Sequence, residues 1–261
     1  MDDASRPADA HPGARVLRFH EIAETRHRIL NPLSKAKHDL LGEICAPRAG
    51  ARHLDLACGK GELLCRWARG FGTVGVGVDV SEVFLAAAAE RAAELGVTDA
   101  VTFVREDAAR YEAELAAFDV VSCVGATWIG GGLTGTLELM AGPLAAGGVL
   151  LVGEPFWIDP PPAEVRAAME EEGDYVDLAG TLDRIEDAGW ELVEMVASSG
   201  DDWDRYVAAQ WWTLRDWLRA HPDDPDHDTF AAWLDASRRA YLAHERRYLG
   251  WAVFVLRARA S

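Results

Sequence analysis

Short apolar runs alternate with longer amphipathic segments from residue 52 onward, and this alternation predicts the fold. The apolar runs have the length of strands, and the segments between them have the length and apolar spacing of helices. Strands that are apolar throughout are buried on both faces, which is typical of a parallel sheet covered by helices on each side. The predicted strands are 53–57, 74–79, 101–104, 118–124 and 148–153, with predicted helices near 61–69, 82–95 and 134–145.

The pattern is less regular on either side of this central part. Asn31 and Pro32 separate two predicted helices at 15–30 and 34–45, because proline disfavours helical backbone in the residue before it. Many aromatic residues lie in a segment that is predicted to be helical and to separate the last two strands. Beyond residue 157, helices are predicted within 160–173 and 181–189, and strands from about residue 191 and at 248–258.

The charge of the chain limits its partners. There are 43 acidic and 26 basic residues, which give a formal net charge of -17. Such a surface repels phosphate backbones and anionic lipids, so neither nucleic acid nor a membrane is expected as a partner. A small-molecule substrate is the simpler expectation, and no particular oligomeric state is predicted.

The ends and the cysteines favour a cytoplasmic location. The first residues lack the basic and apolar regions of a signal peptide, and no apolar run approaches the length that spans a bilayer. The cysteines do not have the spacing of metal ligands, so no metal site is predicted and all four are expected to be reduced thiols. They are Cys45, Cys58, Cys65 and Cys123.

The clearest chemical signal is the turn after the first predicted strand. This strand contains Asp55, and the chain then turns through Ala57, Gly59 and Gly61 into a predicted helix. Glycine lets the backbone pass close to a ligand, and a helix N-terminus presents free amide groups to an anion. A dinucleotide site has a third glycine three residues after the second, but this chain has Leu64 there.

The spacing of Asp55, Gly59 and Gly61 resembles motif I of the class I S-adenosylmethionine-dependent methyltransferases. Asp79 ends the second predicted strand, where a carboxylate can accept hydrogen bonds from both hydroxyls of a ribose. The resemblance implies that S-adenosylmethionine is the cofactor, with the motif I turn around its methionine part. It further implies that Val80 and Ala108 flank the adenine ring, that Asp107 contacts the adenine amine, and that the backbone near Val124 and Gly125 contacts the methionine amine.

The same resemblance implies a seven-stranded, mostly parallel, doubly wound sheet whose last strand is antiparallel. Many members have glycine where this chain has Ala57, and alanine is acceptable there if the backbone is extended. The expected divisions are an N-terminal helical lid at 1–49, the cofactor-binding core at 50–199, an aromatic-rich helical cap at 200–246, and the last core strand at 247–261.

Several residues are candidates for catalysis or for binding the substrate. Methyl transfer requires a close, water-free approach of the acceptor, so the N-terminal helices and the cap are expected to cover the site. Glu154 follows the fifth strand and is the first candidate for a general base, with His20 and His27 as further candidates. Four aromatic residues are candidates for substrate binding, of which the last two can also simply pack the cap: Trp128, Trp157, Trp203 and Tyr206.

The sequence therefore predicts methyl transfer to a nitrogen or oxygen of a small molecule, with carbon also open. One alternative is a protein that binds S-adenosylmethionine without catalysis, as a regulator or a partner subunit. The other is a nicotinamide-dependent dehydrogenase, against which the missing third glycine counts.

Overall fold

The computed structural model describes residues 12–169 and 174–259. Most of the Pro-, Ala- and Asp-rich start at 1–14, which the sequence predicts to be frayed, and the acidic end of the helix predicted within 160–173 therefore lie outside the described residues, whereas residues 12–14 belong to the first helix. Seven strands form a single sheet with the order β3-β2-β1-β4-β5-β7-β6. The strands are β1 Arg52–Leu56, β2 Val74–Asp79, β3 Val101–Arg105, β4 Phe118–Val124, β5 Leu144–Trp157, β6 Trp190–Ala197 and β7 Leu249–Ala258.

The direction of the strands confirms the predicted fold. β1 pairs in parallel with β2 and β4, and the outer pairs β2–β3 and β4–β5 are also parallel. β7 is inserted between β5 and β6 and is antiparallel to both. The strand order reverses direction between β1 and β4, and ligands of open α/β sheets bind at the carboxyl ends of strands at such a point.

Helices cover both faces of the sheet, and several begin at a residue that caps their free amide groups. Ser34, Ser81, Asp177 and Ser199 each accept a hydrogen bond from the first turn of the helix that follows. The helices are α1 Pro12–Ala23, α2 Lys35–Cys45, α3 Glu62–Phe71, α4 Glu82–Leu95, α5 Leu133–Ala141, α6 Ala163–Met169, α7 Leu178–Asp187, α8 Gly200–Ala220, α9 His227–Ala240 and α10 Arg246–Tyr248.

The core consists of two layers that the sheet separates. On one face, α5 and α7 cover residues such as Val152 and Phe254. On the other, Leu41 of α2 and Leu63 and Trp67 of α3 pack on β4, β5 and β7. Both layers leave the carboxyl edge of the parallel strands open for a ligand. None of the helices within 12–169 and 174–259 combines the length and the apolar composition of a membrane span.

The N-terminal segment differs from the prediction of one helix over 15–30. α1 ends at Ala23, and an irregular stretch leads to Ser34, the N-cap of α2. The break comes earlier than Asn31-Pro32 because buried tertiary contacts hold the stretch from Glu24 onward. α1 itself packs against α8, and its Ala23 is buried together with Leu214 of α8 and Phe230 of α9.

Candidate functional site

A cavity of about 900 Å³ lies at the carboxyl ends of β1 to β4. The structure brings most of the predicted cofactor residues and two of the other candidates to its wall. Gly61 is adjacent to it as the N-cap of α3. The predicted residues that line the cavity are His20, Asp55, Ala57, Gly59, Asp79, Val80, Asp107, Ala108, Val124 and Trp128.

The turn between β1 and α3 has a backbone that demands small residues. Gly59 and Gly61 have φ values of +54° and +64°, in the left-handed region that glycine adopts without strain. A Cβ on Gly61 would lie 2.7 Å from the Phe103 ring, and one on Gly59 would lie 2.7 Å from Leu30 Cδ1. The turn is therefore both curved and closely packed.

The prediction of an extended backbone at Ala57 is wrong. Ala57 has a φ of +55°, which costs a residue with a Cβ roughly 1–2 kcal/mol relative to glycine. The strain persists because hydrogen bonds on both sides fix the turn, from Cys58 N to Val78 O at 3.0 Å and from Gly61 N to Cys58 O at 2.9 Å. The glycine that the resemblance implies at this position would adopt the same backbone without that strain.

Asp55 is held at the base of the turn by a buried side-chain network. The Ser122 hydroxyl donates to Asp55 Oδ1 at 2.5 Å, and His53 Nε2 lies 2.7 Å from the same hydroxyl. Burial raises the pKa of Asp55 to about 7, which the charge of Asp79 reinforces and the Ser122 hydrogen bond opposes. Ser122 was not predicted, although its signal is a polar residue inside the apolar fourth strand.

Asp79 joins the second strand to the turn. Its Oδ2 accepts from Gly59 N at 2.8 Å, and its Oδ1 accepts from Ser81 N at 2.8 Å. Each carboxylate oxygen has a further lone pair, and the side chain lines the cavity. Asp79 can therefore accept additional hydrogen bonds from a ligand while it fixes the conformation of the glycine turn.

The cavity wall near Asp107 is largely apolar. Val80 and Ala108 line it, as do Val16 and Leu17 of α1. Asp107 is half exposed, and its Oδ1 accepts from Ala109 N. One carboxylate thus accompanies a set of apolar lining residues.

Another part of the cavity wall comes from the irregular stretch after α1, which includes Arg28 to Asn31. Lys60, in the middle of the glycine turn, fixes this stretch. Its ammonium donates to the backbone carbonyls of Glu24 at 2.8 Å, Thr25 at 3.2 Å and His27 at 2.8 Å. Sequence reasoning missed this role of Lys60, because the three carbonyls lie more than 30 residues away along the chain.

Replacing Lys60 by methionine should loosen this wall. The three carbonyls would lose a charged donor, so we expect faster amide hydrogen exchange over residues 24–31 and an affinity for the cavity ligand that is about tenfold lower. Lys35→Met, which removes an exposed lysine paired with Asp39, is the matched control. Unchanged exchange at residues 24–31 in Lys60→Met would contradict the anchoring role.

Glu24 connects the same stretch to the aromatic-rich cap at 200–246, and its contacts include two further candidate residues, His27 and Tyr206. It is fully buried, and its carboxylate accepts from Tyr206 Oη at 2.5 Å and from Gln210 Nε2 at 2.6 Å. His27 Nδ1 lies 3.0 Å from Glu24 Oε2, and its Nε2 lies 3.0 Å from the carbonyl of Tyr206. His27 and Tyr206 line neither of the two cavities; the structure places both in this connecting network, and their roles in catalysis and substrate binding stay predictions.

The three other aromatic candidates differ in where the structure places them. Trp157 is buried, and its Nε1 donates to the Tyr175 carbonyl at 2.7 Å. Trp203 packs between the core and the cluster around Trp157. Both pack in core clusters and line neither cavity, and their role in substrate binding stays a prediction. Trp128, in contrast, is 70% exposed and borders the cavity. Among the described residues, none of 200–248 lines the first cavity. The cap therefore packs behind the N-terminal wall and does not cover the site directly.

A second cavity, of about 480 Å³, adjoins the first and shares Gly125 and Trp128 with it. Glu154 lines this second cavity at 6% exposure, and Thr127 Oγ1 donates to its Oε2. Burial raises the pKa of Glu154 to about 7, although the Thr127 hydrogen bond and the charge of Arg184 act in the opposite direction. Glu154 is therefore a carboxyl group that can gain or lose a proton near neutral pH.

The indole ring of Trp251 lies near the junction of the two cavities. Trp251 lies so close to the strand ends that a Cβ on Gly153 would stand 2.6 Å from its Cζ2. A Cβ on Gly125 would stand 3.5 Å from the same atom. The two glycines thus admit the indole ring beside Glu154, which sequence reasoning did not predict because Trp251 looked like an ordinary strand residue.

Comparison with known proteins agrees with this geometry. Residues 54–148 match the family model described as a methyltransferase domain. The chain is 43% identical to the uncharacterized protein YjhP of Escherichia coli over 94% of this chain and 99% of that protein. It is 31% identical to the 27-O-demethylrifamycin SV methyltransferase of Amycolatopsis mediterranei over 66% of this chain and 64% of that enzyme.

Among solved structures, the chain is similar to a methyltransferase from Geobacter sulfurreducens that depends on S-adenosylmethionine and was crystallised with S-adenosylhomocysteine. The two are 44% identical, with a TM-score of 0.88 over 93% of this chain and 98% of the other. The X-ray structure of YjhP gives a TM-score of 0.88 at 43% identity, over 93% of this chain and all of YjhP.

Proposed function

The chain belongs to the class I S-adenosylmethionine-dependent methyltransferases, and we propose that it methylates a nitrogen or oxygen of a small molecule held beside Glu154. The family assignment removes the nicotinamide-dependent alternative. The cavity at the ends of β1 to β4 is the cofactor site of such an enzyme. The second cavity, which meets it at Gly125 and Trp128, is the proposed acceptor site.

The residues of the first cavity fit the parts of the cofactor. The glycine turn lines the cavity at Gly59, where backbone without a side chain would lie against the cofactor, and Asp79 retains lone pairs for the ribose hydroxyls. Val80 and Ala108 would enclose the adenine ring with Asp107 at its edge, and the backbone at Val124 would contact the methionine part. When bound, S-adenosylmethionine supplies a methyl group on a positively charged sulfur, which leaves as a neutral thioether.

Glu154 would act on the acceptor and not on the cofactor. A nitrogen or oxygen that attacks the methyl group has to lose a proton, and the Glu154 carboxylate can take it. Thr127 donates to Oε2 of Glu154, so Oε1 is the oxygen that would accept the proton. Glu154 would end the step protonated, and the methylated acceptor would carry no added charge.

The single observation that carries this proposal is the junction of the two cavities beside a buried carboxyl group with a pKa of about 7. The volume of the second cavity suits a small acceptor or one end of a larger one. The Amycolatopsis relative, which the name describes as methylating an oxygen of a rifamycin, supports a small-molecule acceptor as well.

Turnover with a panel of acceptors tests the proposal. We expect S-adenosylhomocysteine to form only when small amines, phenols or alcohols are present, and the methylated product to appear in equal amount by mass spectrometry. His20, which also lines the cofactor cavity, is the second base candidate, and His20→Ala should retain turnover if Glu154 is the base. Turnover with a protein or nucleic acid and none with small molecules would reject the proposed acceptor class.

A further inference from the structure

His38 is a buried polar residue without a partner in the wall of the cofactor cavity. It lies on α2 at 4% exposure. Neither of its ring nitrogens forms a hydrogen bond with any described residue. Buried polar atoms are nearly always paired in native proteins, so a pair of unpaired nitrogens at a cavity wall calls for a ligand.

The packing of α2 on α3 places this imidazole beside the first turn of α3. Gly42 contacts α3 so closely that a Cβ there would lie 2.6 Å from Phe71 Cε2 and 3.0 Å from Trp67 Nε1. His38 is four residues before Gly42 and thus on the same face of α2. Leu63, likewise one turn before Trp67, lines the cavity together with His38.

This part of the cavity favours an anion. α3 begins at Gly61 without a side-chain cap, so the amide groups of its first turn are available to a ligand. The carboxylate of Glu62 does not oppose an anion strongly, because Arg91 and Arg66 both pair with it. Burial, and then the positive charge of Arg66, lower the pKa of His38 to about 4. The neutral imidazole therefore has one N–H group to donate.

The sheet order decides which part of the cofactor reaches this position. The adenine and ribose positions lie at the ends of β3 and β2, at one side of the cavity. β1, with the glycine turn, and β4 follow in that order, so the amino-acid end of the cofactor extends toward α2. That end has a single anionic group, its carboxylate.

We propose that His38 donates a hydrogen bond to the carboxylate of S-adenosylmethionine and, together with the first turn of α3, forms the subsite that recognises this group. His38 then selects the complete cofactor over its fragments. This role concerns the cofactor alone and does not depend on which acceptor is methylated.

Calorimetry with two ligands tests this subsite. S-adenosylhomocysteine has the amino-acid end, and 5′-methylthioadenosine lacks it. In His38→Ala, we expect the affinity for S-adenosylhomocysteine to fall about 10- to 30-fold, as for a lost hydrogen bond to a charged group. The affinity for 5′-methylthioadenosine should stay within about twofold of the parent value, and His38→Gln, which keeps a donor, should recover part of the loss.

His244→Ala, on the π-helical segment after α9, is the matched histidine control and should bind both ligands as the parent does. Two results would overturn the proposal: equal losses for the two ligands in His38→Ala, which indicate a packing role, or no loss for S-adenosylhomocysteine. Neither binding measurement needs an acceptor, so a failure here is distinct from a failure of the proposed acceptor class.

Discussion

Glu154→Gln should lower the turnover number by about 10²- to 10⁴-fold, the contribution typical of a general base. Glutamine has nearly the same shape and can still accept a hydrogen bond from Thr127, so the second cavity should keep its form. It cannot take a proton from the acceptor. Steady-state rates and S-adenosylhomocysteine calorimetry on the same preparations measure the two effects separately.

The affinity for S-adenosylhomocysteine should remain near the parent value in Glu154→Gln, because Glu154 lines the second cavity and not the first. Glu138→Gln on α5 is a matched carboxylate control away from both cavities and should leave turnover unchanged. If Glu154→Gln turns over at the parent rate, Glu154 is a structural residue, and His20 becomes the first candidate.

The dependence of turnover on pH should also reflect the ionisation of Glu154. Burial raises the pKa of Glu154 to about 7, and a general base acts in its ionised form. Turnover of the parent enzyme should therefore increase with pH and level off above about pH 7, and this acidic limb should be absent in Glu154→Gln. A limb that persists unchanged in the variant would assign the titration to another group.

Asp79→Ala should give the second largest effect, a loss of S-adenosylhomocysteine affinity of about 10- to 150-fold. This corresponds to the roughly 1.5–3 kcal/mol of hydrogen bonds to a charged group. Asp79 faces the cofactor cavity and also accepts from the amides of Gly59 and Ser81. The variant therefore loses contacts to the ribose and part of the support of the glycine turn.

Calorimetry on variants of two other aspartates provides comparisons for the loss of affinity in Asp79→Ala. Asp107→Ala should lose less affinity than Asp79→Ala, because the Asp107 side chain is 53% exposed and water screens its contacts. Asp228→Ala removes a fully exposed carboxylate at the start of α9 and should not change affinity. An unchanged affinity in Asp79→Ala would refute its assignment to the ribose.

The sequence by itself determined the sheet and the position of the glycine turn. Both depend on local signals: uninterrupted apolar strands, the closely spaced Gly59 and Gly61, and acids at the strand ends. The carboxyl ends of parallel strands necessarily meet at one edge, so Asp55, Asp79 and Asp107 converge even though they are far apart in sequence. Topology alone made that part of the site predictable.

Only the tertiary structure decided the roles of side chains whose partners are distant in sequence. Helical spacing allowed Tyr206 to face a substrate, but Glu24, 182 residues away, takes its hydroxyl. Lys60 has no distinguishing signal in the sequence, but in the fold its ammonium donates to the carbonyls of Glu24 and His27. Periodicity gives the face of a helix on which a residue lies, but not what packs against that face. For buried polar groups this partner determines the role, since each must be paired within the fold or by a ligand.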